Sequence, residues 1–66
     1  MNLPKEKSEE QALYDSIWAA KKEWDLAEAR FQEATGQEMV DFAIYDAMAA
    51  RKKYMYLMMK ARQMGL

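Results

Sequence analysis

Phe31-Gln32-Glu33-Ala34-Thr35-Gly36-Gln37-Glu38-Met39-Val40 is the stretch that decides the fold. One apolar stripe enters it through Phe31 and Ala34, and another leaves it at Val40. Between them, Thr35-Gly36 is the only strong break in the middle of the chain. Glycine tolerates the backbone angles that end one helix and is acceptable at the cap of the next. The chain is therefore expected to turn back on itself here.

Toward the N-terminus, Leu13, Ile17, Ala20, Trp24, Ala27, Phe31 and Ala34 recur at alternating spacings of four and three, which keeps them on one face of a helix. Ser8-Glu9-Glu10-Gln11 reads as a capping box opening that helix. Toward the C-terminus, Val40, Ala43, Ala47, Ala50, Tyr54, Leu57, Ala61 and Met64 form a second such stripe, ending beside Gly65. The expected architecture is all-α. Residues 1–7 form a disordered or extended N-terminal segment and residues 8–66 one helical-hairpin domain, with a first helix over about 8–35 and a second over about 37–64. Two helices of similar length joined by so short a link lie antiparallel.

Charge follows the same division. All acidic residues fall in positions 1–46, whereas 47–66 hold Arg51, Lys52, Lys53, Lys60 and Arg62 and no acid. An antiparallel hairpin is expected to bring Glu9, Glu10 and Asp15 toward Lys53, Lys60 and Arg62, and it sets cations at a helix C-terminus, where the macrodipole favours them.

A 66-residue chain with 52% hydrophobic residues is too apolar for disorder, and with 32% charged residues it is too charged to span a membrane. The first residues contain no apolar run of the kind a secretory signal needs, so a cytoplasmic location is expected. With no cysteine and no histidine, disulfide staples and the commonest metal ligand and acid–base group are missing. No phosphate-binding loop and no nucleophile beside a base occurs. The carboxylate pairs Glu23 with Asp25 and Asp41 with Asp46 do not share a helical line, so they read as solvated charge. No enzyme activity, metal or other cofactor is expected.

The second helix carries more apolar residues than one seam can use. Phe42, Tyr45, Met48, Met55, Tyr56 and Met59 fall outside its stripe, and Tyr45, Met48, Met55 and Met59 form a second one, interrupted by Lys52. A helix apolar on two faces is buried on two sides. The first helix, by contrast, reads as one seam with a polar back, Trp18 and Trp24 being core anchors on or beside the seam. The simplest cover for the excess on the second helix is another copy, giving a homodimer built as a four-helix bundle with the second helices nearest its middle. A different protein partner or a membrane surface is the alternative cover. The function expected is that of a non-enzymatic protein-interaction module. The alternative is an accessory nucleic-acid-binding protein whose phosphate contacts are Arg51, Lys52, Lys53, Lys60 and Arg62, with Tyr54 and Tyr56 interleaved.

The string Trp24-x-x-Ala27-x-x-x-Phe31, a short turn, Met39-Val40-Asp41-x-Ala43-Ile44-Tyr45, Ala49-Ala50 and Tyr54-x-Tyr56-Leu57-x-x-x-Ala61 resembles the YaaL-like family of small uncharacterised Firmicutes proteins. The resemblance covers residues 17–62 and implies a cytoplasmic helical hairpin with no known activity. Family members usually start the second helix with an Asp-Pro type sequence and carry an acid after the paired alanines; Gly36-Gln37 and Arg51 stand at those places here.

Overall fold

The computed structural model describes residues 8–66; the expected N-terminal segment 1–7 lies outside the described residues. Two helices, α1 (Glu9–Glu33) and α2 (Gln37–Gln63), pack against each other, and no strand occurs among the described residues. The protein is an all-α helical hairpin.

Local chemistry sets each helix end. The Ser8 hydroxyl accepts the Gln11 N–H at 3.1 Å, satisfying one of the donors that a helix start leaves open. The reciprocal half of the expected capping box does not form, because the Gln11 amide instead donates to Asp15 at 3.2 Å, one turn on. At the other end α1 stops at Glu33, two residues short of expectation. Ala34 has already turned extended, and its N–H donates to the Phe31 carbonyl. Gly36 caps α2 at φ 85° and ψ 148°, a region that only glycine occupies without strain. The C-terminus closes with a Schellman motif. Gly65 sits at φ 78°, the Leu66 N–H donates to the Ala61 carbonyl and the Gly65 N–H to that of Arg62, both at 3.0 Å.

The pairings across the hairpin establish the antiparallel register. Arg30 meets Asp46, Trp24 meets Tyr54 and Glu23 meets Lys53, so positions fall along α1 as they rise along α2. This corrects one expectation: Lys53 pairs with Glu23 and not with Glu9, Glu10 or Asp15. A turn at residues 34–36 sets position 53 level with position 23, a long way from the start of α1.

What lies between the helices is alanine. Ala20, Ala27, Ala43 and Ala61 are the buried residues among those described, and none of the large side chains is fully buried. Small residues at the contact line let two helices approach closely. Leu13, Ile17, Trp24, Phe31, Val40, Tyr54 and Leu57 sit half-buried along the edges of that line. The Trp24 and Tyr54 rings lie 5.5 Å apart and tilted by 42°, and the Trp24 indole N–H donates to Glu28 at 3.0 Å.

Two seam assignments are corrected. Trp18 is 69% exposed, because the position after Ile17 turns out onto the flank of α1. Met64 is exposed as well, at the end of α2, where among the described residues the start of α1 lies beside it. The thinnest dimension of the molecule is 13 Å, little more than the width of one helix with its side chains. The hairpin is thus a single layer open on both faces, whereas stable domains are built from two or more packed layers.

Two substitutions test this packing. Ala27→Leu forces the helices apart and is expected to cost about 1–3 kcal/mol. Gly36→Ala is expected to cost about 1–3 kcal/mol through backbone strain alone, since nothing lies within 4 Å of the added Cβ. Urea unfolding followed by circular dichroism measures both, and an unchanged midpoint for Ala27→Leu would contradict the close alanine contact.

Candidate interaction surface

Because alanines occupy the seam, the larger apolar side chains point outward. Tyr14, Trp18, Leu26, Met39, Phe42, Ile44, Tyr45, Met48, Met55, Tyr56 and Met59 are all exposed, Tyr45 and Phe42 to more than 70%. So many exposed large apolar side chains on a small protein point to a contact site.

On one face of the hairpin, Glu23, Leu26 and Arg30 of α1 oppose Asp46, Ala49 and Lys53 of α2 around a shallow hollow of about 360 Å³. Two ion pairs bridge it. Arg30 donates from both Nε (3.1 Å) and Nη2 (2.8 Å) to Asp46 Oδ2, and Lys53 Nζ lies 3.3 Å from Glu23 Oε2. Toward the turn, Met39 and Phe42 join Arg30, Glu33 and Asp46 in a second hollow. The opposite face carries an aromatic notch formed by Tyr14, Ile17, Trp18, Lys21 and Tyr54. Beside the notch, Lys21 Nζ donates to Asp25 at 2.7 Å and stands 5.5 Å from the Trp24 ring centroid. The Asp25 carboxylate raises the Lys21 ammonium above the usual lysine range. The pair is solvent-exposed, so this shift keeps Lys21 charged and adds little to the stability of the fold.

The stripe expected on α2 is present and open. Met48 and Met55 are each 51% exposed, and Met59 and Tyr45 are exposed beside them. Ile44, four residues before Met48, extends the same line toward the turn and is also exposed. The five basic residues do not come together. Arg51 and Arg62, three turns apart, share the flank of the methionines, while Lys53 and Lys60, two turns apart, share the opposite flank. Lys53 is held by Glu23, and Lys60 stands 5.6 Å from the Tyr56 ring centroid. Lys52 lies on the outer surface between the two sets.

Two features of α1 escaped the reading of the sequence. Its back is not polar throughout, since Tyr14 and Trp18 on one flank and Leu26 on the other are exposed apolar groups. The four-residue step from Tyr14 to Trp18 was the available signal, and it was masked because Trp18 adjoins a seam position.

Among the described residues no group of acidic side chains gathers in a geometry that could hold a metal ion, and no helix is long and apolar enough to cross a membrane. The fold and its open surface define a small all-helical hairpin protein, one layer thick, with apolar side chains on every flank. The chain belongs to the DUF2508 family of proteins of unknown function, whose family model matches residues 2–66. No curated protein and no solved structure matches it.

The bridging ion pairs are solvent-exposed, so they are expected to set register more than stability. Asp46→Asn should lower the unfolding free energy by no more than about 1 kcal/mol in urea melts at low salt. A larger loss would mean that the Arg30–Asp46 pair contributes more than its exposure implies.

Proposed function

We propose that this chain is a non-enzymatic, cytoplasmic interaction module whose hairpins pair into a four-helix bundle, with Tyr45, Met48, Met55 and Met59 at the interface. The observation that carries this reading is the mismatch between what is buried and what is exposed. Only alanines are buried among the described residues, while Phe42, Tyr45, Met48, Met55, Tyr56 and Met59 of α2 face solvent. A single layer of helices gains a second layer most simply from another copy, because a two-fold axis covers the same flank on both chains with one set of residues. Methionine suits such a flank, being flexible and polarisable enough to fit an uneven neighbour. Within DUF2508 we read the chain as a YaaL-like member, on Trp24, Ile44-Tyr45 and Tyr54-x-Tyr56-Leu57.

The alternative, phosphate contact through Arg51, Lys52, Lys53, Lys60 and Arg62, has less behind it. Phosphate binding needs its cations on one surface, and these are divided between opposite flanks of α2, with Lys53 engaged by Glu23.

Sedimentation equilibrium from nanomolar to high micromolar concentration tests the proposal. Met48→Asn and Met55→Asn should each weaken self-association roughly a hundredfold, since a two-fold interface loses two methionines at once, about 1.5 kcal/mol each. Lys22→Asn, the same replacement on the solvated side of α1, should leave it unchanged. A chain that remains a fully helical monomer at every concentration would overturn self-association and leave a different protein as the cover for this flank.

A further inference from the structure

We infer that two copies pair antiparallel along α2, about a two-fold axis that passes between Arg51 and Lys52. This inference rests on the self-association just proposed and adds its geometry. The exposed apolar positions of this flank of α2 and the charges that end it read Asp41, Ile44, Met48, then Met55, Met59, Arg62, with spacings of three, four, seven, four and three, and Arg51 stands in the central gap. That series is palindromic in position. Turned end for end about its centre, it lays Met48 on Met55 of the second copy and Ile44 on Met59. A two-fold contact requires this self-complementarity.

The series is palindromic in shape but not in charge, and charge chooses the orientation. One end is the acid Asp41 and the other the cation Arg62. An antiparallel pair sets Asp41 against Arg62 of the second copy, twice. A parallel pair sets each against its own like. Arg51 and Lys52 meet their counterparts near the centre in both orientations, so their repulsion does not discriminate, and their long side chains let the charges swing out to solvent. Both cations, like Arg62, have no ion-pair partner among the described residues. Among the described residues Asp41 accepts a neutral amide from its own helix, Gln37 Nε2 at 3.0 Å. Like-charge contacts across an interface are an effective means of excluding the wrong arrangement.

The chain has no cysteine, so single-cysteine variants of the full protein take one nitroxide label each. Pulsed dipolar spectroscopy then reads distances between copies. Gln63→Cys and Thr35→Cys are exposed and lie off the stripe. At 1.5 Å rise per residue the antiparallel pair predicts separations of about 35 Å for Gln63→Cys and about 50 Å for Thr35→Cys. Asp41→Arg and Arg62→Asp should each weaken the dimer roughly tenfold, and the double reversal should restore it. Separations under about 20 Å at both sites would overturn the antiparallel arrangement while leaving self-association intact. Charge reversals that change nothing would overturn the contact along this flank. The absence of any dipolar coupling at concentrations up to the high micromolar range would overturn the pairing itself.

Discussion

The close approach of two helices across a line of alanines is the constraint on which the rest of this structure depends. Ala20 and Ala27 of α1 and Ala43 and Ala61 of α2 are buried because nothing larger fits between the helices. An alanine seam gives close backbone contact and loses no side-chain entropy, but it hides little apolar area. Every large side chain is displaced from the centre line to its edges or to the outer flanks. The half-burial of Trp24, Phe31, Tyr54 and Leu57 and the exposure of the methionines share this origin.

Two features compensate locally for the thin core. The helix ends are closed by specific devices: the Ser8 hydroxyl, the strained-for-others Gly36 and the Schellman closure at Gly65. Across the seam, the Arg30–Asp46 and Lys53–Glu23 pairs and the Trp24–Tyr54 contact tie matching levels of the two helices. Neither group of interactions covers the outward apolar surface, and for that reason the functional reading lies in contact with another molecule.

Much of this was legible in the residues. The four-three spacing from Leu13 to Ala34 names the positions that lose exposure on α1, because a long amphipathic period leaves only one way to face a partner helix. The single break at Thr35-Gly36 fixes the topology for the same reason. Adjacency in sequence misleads where periodicity does not: Trp18 follows the seam position Ile17 but lies nearly opposite buried Ala20 around the helix, whereas Met64 continues the stripe and faces solvent because α2 ends there. The cross-helix pairs were misjudged because charge composition gives the sense of pairing but not the level. The open stripe of α2 was visible as an excess of apolar residues.

The spacing of the buried alanines bears on how uniquely the fold is specified. Buried Ala20 and Ala27 stand seven residues apart, as do buried Ala43 and half-buried Ala50, so the alanine line by itself does little to oppose sliding one helix past the other by two turns. The alanine methyls, all of one size, offer no interlocking teeth to resist such translation, and resistance comes instead from larger side chains at the edges, such as Trp24 against Tyr54. The turn at residues 34–36 removes the degeneracy, because so short a link has no slack to feed into a slipped alignment. Register in this hairpin is therefore set by chain connectivity together with the Arg30–Asp46, Lys53–Glu23 and Trp24–Tyr54 pairs, and lengthening the link would leave those pairs alone to hold the alignment.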